Sequence, residues 1–165
     1  MLYIGEGFHG DGPHAAHINV LLGPQSVLAT AFATAAASPT AGHVPFQVVL
    51  KPNVPVKPAT LFIAKAGLKH NQHELMTWGP AQLGVAAGIT QALLDGTLPE
   101  DSAQWLAIAL VWVDSAATDG QLIYHNNLQA TGLAVRRALD PHWPDRNTLA
   151  RALATLGNPF FTPLS

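Results

Sequence analysis

Residues 105–113 run through nine apolar side chains without a polar interruption, from Trp105 through Leu106, Ile108, Leu110 and Val111 to Val113. A run of this length, rich in β-formers and bounded by polar segments, suits a strand covered on both faces. It is far short of the roughly 20 residues that span a bilayer. The fold must therefore build a sheet with this strand inside it, and the remaining periodicities say from what. Residues 2–8 and 15–22 read as two strands joined by the Gly10-Asp11-Gly12-Pro13 turn, where glycine supplies positive φ and proline stops pairing. Residues 24–38 read as an alanine-rich helix with Pro24 near its first turn and Val27, Leu28, Ala31, Phe32 and Ala35 at helical spacing.

Residues 43–50 and 59–66 are the next two expected strands. Between them, Pro52, Pro55 and Pro58 predict a rigid extended loop without regular pairing. Gly79-Pro80 reads as the start of a second helix that continues to about Asp95, with Leu83, Ala86, Ile89, Ala92 and Leu93 buried and Gly96 past its end. Residues 121–139 form a third expected helix and residues 145–156 a short fourth, with Leu149, Leu153 and Leu156 as its stripe. The order β-β-α-β-β-α-β-α predicts an α+β sandwich. A chain of 165 residues with no linker or composition break buries one substantial core.

Charged residues make up only 11% of the chain and hydrophobic ones 48%, where an ordinary soluble domain is roughly 25% charged. So few charges point to surface buried between subunits. The N-terminus has no basic segment followed by an apolar core, so a soluble, cytoplasmic protein is expected, with no membrane partner. The absence of cysteine rules out disulfides and thiolate chemistry. The net charge of −2 argues against nucleic acid as a partner. Its distribution is uneven: between Asp11 and Glu74 there is no acidic residue, and all four lysines (Lys51, Lys57, Lys65, Lys69) lie in that stretch. That half is suited to face an anion, or carries a chance cluster of solvated lysines.

Gly5-Glu6-Gly7-Phe8-His9-Gly10 matches G-x-G-x-x-G by letter, but a dinucleotide fingerprint must open a helix and here Gly12-Pro13 follows. His9, His14, His17, His70 and His73 show no metal-ligand spacing, and His70 and His73 sit in a polar connecting segment that predicts surface histidines; no metal is expected. His17 is different, because alternation in its apolar strand puts His17, Asn19 and Leu21 on one face and Ile18, Val20 and Leu22 on the other. Lys65 ends a strand and shares a face with Leu61 and Ile63, so its ammonium either reaches water or meets an anion. Gln82 is placed in the first turn of the Gly79-Pro80 helix, where free N–H groups favour electron-rich ligands.

Taken together these segments resemble the formaldehyde-activating enzymes, the tetrahydromethanopterin hydro-lyases. Ile4-Gly5-Glu6, Gly10-Asp11-Gly12, Ala16-His17-Ile18, Pro52-Asn53, Lys57-Pro58-x-Thr60-Leu61, Lys65, Gly79-Pro80-Ala81-Gln82 and Ala130-Thr131-x-Leu133-Ala134 follow that family's pattern in order, from about residue 2 to 138. The resemblance implies a two-layer α+β fold like the second domain of ribosomal protein S5, spanning residues 1–139. It also implies a homopentameric ring with sites between subunits for a small-molecule pterin and formaldehyde. The implied co-substrate is tetrahydromethanopterin or a related reduced pterin.

By the match, His17 stands at the family's proton donor, and Lys65 and Gln82 at substrate-contacting positions. Three other substrate-contacting positions differ: Asn19 replaces an aspartate, Gln47 a leucine and Gly67 a threonine. Asn19 can hydrogen-bond a pterin nitrogen but cannot support a charged imidazolium on His17. Two functions follow as alternatives, a lyase that joins formaldehyde or another small aldehyde to the pterin, and a non-catalytic paralogue that binds or regulates one-carbon adducts. The tail, residues 140–165, is expected to dock its leucine stripe with Phe160 and Phe161 on its own domain or on a neighbouring subunit.

Overall fold

The computed structural model describes residues 1–158 and 161–164. In chain order they form β1 (Tyr3–His9), β2 (Ala16–Gly23), α1 (Gln25–Ala37), β3 (Phe46–Gln47), β4 (Val49–Lys51), β5 (Val54–Pro55), β6 (Ala59–Ala64), α2 (Asn71–Met76), α3 (Gln82–Leu94), β7 (Leu106–Trp112), α4 (Gly120–Leu139) and α5 (Arg146–Ala154). The architecture is mixed α+β. The main sheet has the order β1-β2-β7-β6-β3, parallel between β6 and β7 and antiparallel elsewhere. The apolar run is its central strand.

The main core lies between the sheet and the α3–α4 pair. Ile18, Val20 and Leu22 of β2, Phe62 of β6 and Ala107, Ala109 and Val111 of β7 meet Val85, Ile89, Ile123 and Ala134 there, all fully buried. Small residues set the spacing. A Cβ on Gly5 would collide with the Ala134 carbonyl of α4, and one on Gly7 with the Ala130 carbonyl, so β1 carries α4 directly on its backbone. The Gly5-x-Gly7 pair is thus a packing motif inside a strand. On the opposite face α1 covers only part of the sheet, where Leu28 and Phe32 pack with Leu21, Leu61 and Ile108. The expected cover on both faces of β7 is therefore complete at Ile108 and gives out toward Leu110 and Trp112, which stay half-buried.

Three local expectations are corrected. Residues 43–50 do not make one strand: β3 pairs with β6, and β4 leaves the sheet to pair with β5. The proline-rich 51–58 segment is consequently paired in part, as a two-stranded ribbon turning at Asn53 (φ 67°). Pro55 is tolerated because an edge position needs no N–H from it.

The second helix also begins earlier than Gly79. Helical backbone starts at Asn71 and passes through a π turn, Thr77–Ala81, into α3. The wider π turn accommodates Pro80, whose ring and missing N–H would disrupt an ordinary turn. No helix among the described residues is long and apolar enough to cross a membrane.

Candidate functional site

Strand register arranges the face beside α1 into rows. The first row runs Gln47, Leu61, Ile108, Leu21, Ile4, and the next runs Ile63, Leu110, Asn19, Glu6. The third holds Trp112, His17 and Phe8. Lys65 joins this last row just beyond β6, because its N–H continues the ladder to the Val111 carbonyl at 2.8 Å. Helix α1 covers the middle of the first row, Leu61, Ile108 and Leu21, and reaches Ile63 and Leu110 in the second, so His17, Asn19, Lys65 and Glu6 share a patch of sheet outside its cover.

His17 is the centre of that patch. Its side chain is 39% exposed, and Nε2 lies 3.3 Å from Glu6 Oε1. Lys65 Nζ lies 3.4 Å from the His17 carbonyl oxygen, a long contact. Burial and then the Lys65 charge hold the His17 pKa below its ordinary value of 6.5, while Glu6 opposes both by attracting and hydrogen-bonding the imidazolium. Burial likewise lowers the Lys65 pKa, again against the pull of Glu6. Glu6 Oε2 accepts a 3.0 Å bond from Arg137 Nη1, which also donates to the Glu6 carbonyl at 3.0 Å. Arg137 in turn lies 4.7 Å over the Trp143 ring.

Glu6 was missed in the sequence, although the signal was present. Alternation puts Ile4, Glu6 and Phe8 on one face of β1, and the hairpin register then sets Glu6 opposite Asn19 and diagonal to His17. Asn19 brings no charge to His17, but the neighbouring strand supplies a carboxylate in Glu6.

Gln47 and Gln82 are elsewhere. With Val44, Phe46, Val49 and Trp78 they line a largely apolar concavity of about 520 Å³. Gln47 is three strand spacings and two residue rows from His17, about 20 Å. Gln82 does not offer a free helix start, because its own N–H is bonded inside the continuous helix to Gly79 and Thr77 carbonyls. Its side-chain amide clamps the β4 backbone, accepting from Val49 N and donating to Val49 O, each at 3.1 Å.

Gly67 lies near His43, and a Cβ there would sit 3.6 Å from His43 Nε2, an ordinary contact. A second concavity of about 660 Å³ adjoins the His17 row, walled by Phe8 and Trp112 and edged by Asp11 and Asp114.

The other candidate histidines have structural partners. His73 is buried rather than superficial, at 2% exposure. Its Nε2 donates to the Val113 carbonyl at 2.9 Å, and Nδ1 accepts from Lys69 N at 3.3 Å. His14 Nε2 accepts from the Thr118 and Asp119 N–H groups, and His9 pairs with Asn126. Among the described residues no group of three or more histidines and carboxylates is gathered for a metal ion.

An imidazole, a carboxylate and an ammonium on an open sheet face beside an aromatic-walled hollow are equipped to move a proton on a small organic molecule. Comparison with known proteins gives that description a family. The family model described as formaldehyde-activating enzyme matches residues 4–161. The chain is 37% identical over 153 residues to the 5,6,7,8-tetrahydromethanopterin hydro-lyase of Methanosarcina barkeri, covering 92% of this chain and 84% of that one.

It is 38% identical over 141 residues to the bifunctional enzyme Fae/Hps of Methanosphaera stadtmanae, covering 84% of this chain and 35% of that protein. The corresponding enzyme of Methanococcoides burtonii is 37% identical over 151 residues, 90% of this chain and 38% of the relative. The chain thus spans little more than a third of the length of these bifunctional relatives. It belongs to the formaldehyde-activating enzyme family. The match extends past Ala138, where the motif resemblance stopped, into the tail.

Proposed function

We propose that this protein condenses formaldehyde, or another small aldehyde, with tetrahydromethanopterin or a related reduced pterin. The products are the methylene adduct and water. The observation that carries this reading is His17 half-exposed on the open face, in a chain 37% identical to a tetrahydromethanopterin hydro-lyase over 92% of its length.

An amine nitrogen of the pterin attacks the aldehyde carbon to give a hydroxymethyl amine. Its hydroxyl is a poor leaving group until protonated. His17 as imidazolium gives that oxygen a proton, water departs, and the resulting iminium is closed by a neighbouring amine, whose proton returns to the imidazole. The aldehyde oxygen thus leaves with two hydrogens taken from nitrogen. Lys65 and Asn19 flank the reacting group as substrate contacts.

Gln47, Gln82 and Gly67 are also assigned to substrate contact, and the span of about 20 Å between Gln47 and His17 supports a site completed between subunits. A homopentameric ring with the fold of the second domain of ribosomal protein S5, in a cytoplasmic setting, belongs to the same reading. The departures at Asn19, Gln47 and Gly67 favour a second reading, a paralogue that binds the pterin or its adduct without catalysis.

The test is a coupled assay of purified protein with formaldehyde and tetrahydromethanopterin. Methylene-pterin formation above the spontaneous rate, lost in His17→Ala, is the expected result. General acid assistance is typically worth about 10²–10⁴ in rate, well within detection. Tight pterin binding with no rate above background would give the site to the non-catalytic paralogue.

A further inference from the structure

Among the described residues Glu6 is the one acidic side chain that touches His17, and it does not stand alone. Its two oxygens are divided, Oε1 toward His17 Nε2 at 3.3 Å and Oε2 toward Arg137 Nη1 at 3.0 Å. Arg137 also holds the Glu6 backbone carbonyl at 3.0 Å, so a single guanidinium grips both ends of the residue. The far side of that guanidinium rests on Trp143, beyond the end of α4. A carboxylate on an exposed strand would ordinarily sample many rotamers. One oxygen fixed by arginine leaves the other aimed at the imidazole.

We propose that Glu6 is a positioning residue for His17, held on the imidazole by an Arg137 brace that rests on Trp143, so that the chain segment following α4 is coupled to the reacting histidine. The role assigned to Glu6 rests on the reading of His17 as general acid, but its physical content is the state of the imidazole and can be measured without turnover.

The groups facing His17 are few. Glu6 comes from β1, Lys65 from the end of β6 and Arg137 from α4 by way of Glu6. Phe8 and Trp112 flank it in its row, with Asp11 and Asp114 beyond them in the adjoining concavity. Glu6 favours the imidazolium, whereas burial and Lys65 disfavour it. Arg137 acts in two opposed ways. Its charge repels an imidazolium directly, and its grip keeps the carboxylate in place. The proposal requires the second effect to dominate.

The experiment is a pH titration of the His17 ring by NMR in the full-length protein, with the resonance assigned by its absence in His17→Ala. Glu6→Gln is expected to lower the His17 pKa. Arg137→Gln and Trp143→Ala are also expected to lower it in the native background, and to have no such effect in the Glu6→Gln background. An unchanged or raised pKa in Glu6→Gln overturns the proposal. A raised or unchanged pKa in Arg137→Gln in the native background shows that charge repulsion outweighs the grip and overturns the brace, whereas a rise confined to the Glu6→Gln background is the repulsion left once the carboxylate is gone.

In the condensation assay Glu6→Gln should reduce the rate at neutral pH about 2- to 5-fold, the range of a solvent-screened ion pair, and move the pH profile to lower pH. A lowered pKa with no turnover in the unmodified protein leaves Glu6 in place and removes only the catalytic reading of the site.

Discussion

Asn19 lies directly across from Glu6 in the β1–β2 ladder, so a carboxylate at this position would meet two neighbours at once. It would favour a charged His17, and it would oppose Glu6. Asn19→Asp is accordingly expected to raise the His17 pKa and the rate of methylene-pterin formation at neutral pH. It should also cost about 0.2–1 kcal/mol of stability as a like-charged cross-strand pair. Because Glu6 already serves the imidazole, the gain should be smaller than if His17 had no acidic partner. A slower enzyme would mean that asparagine is fitted to a different carrier.

The direction of the His17 shift makes a second statement at this scale. An imidazole held below its ordinary value of 6.5 is largely neutral at pH 7. A reaction limited by His17 as acid should therefore speed up as the pH falls, with its midpoint below 6.5. A rate that falls on acidification in that range, once corrected for the spontaneous reaction, would remove His17 from the proton-donor role.

At the scale of elements, two pairs of glycines serve the same purpose, the close approach of a helix. Gly5 and Gly7 allow α4 to lie on β1, and Gly84 and Gly88 allow α3 to lie on α4 against Tyr124, Asn127 and Thr131. Gly7→Ala forces a methyl onto a helix backbone that cannot rotate away, so a loss at or above the top of the ordinary overpacking range, about 3 kcal/mol, is expected in chemical denaturation. Gly67 has no such constraint. Gly67→Thr, which returns the family's hydroxyl, should change stability by no more than about 0.5 kcal/mol. Equal costs at the two positions would contradict this account of the packing. The Gln82 clamp belongs here too, since it ties α3 to the β4–β5 ribbon that edges the apolar concavity.

For the whole molecule, the question is what covers the apolar surface that one chain leaves bare. Leu149 and Leu153 of α5 are 55% and 70% exposed, and Leu156 and Phe161 are exposed as well, while Phe160 lies outside the described residues. Trp78 and Val44 are exposed at the Gln47–Gln82 concavity, and Leu75 of α2 is exposed as well. With only 11% charged residues, such a surface is poorly suited to remaining free in water. Light scattering on a size-exclusion column is expected to show a closed ring, most simply a pentamer; a monomer at micromolar concentration would refute it. Deleting residues 140–165 removes both the α5 stripe and Trp143, and should lower stability or alter assembly. If both are unchanged, the tail serves neither purpose.

Much of this protein could be read before any coordinates, and the physical reason is that local signals are short-ranged. Strand alternation in β2 placed His17 and Asn19 on one face, the apolar run identified the central strand, and the Gly10–Pro13 turn joined the first hairpin. Motif order was enough to indicate the family. Signals that punctuate the chain were less faithful: Gly79-Pro80 looked like a helix start because proline usually breaks helices, and only the backbone shows the π turn that absorbs it. Likewise His73 looked superficial in its polar segment, yet a carbonyl distant in sequence, that of Val113, draws it inside. The site divides along the same line. Which residue types could do chemistry was written in the sequence. That Glu6 reaches His17, that Arg137 holds Glu6, and that Gln82 spends its amide on Val49 depend on strands and helices far apart in the chain meeting in one register, which only the tertiary structure decides.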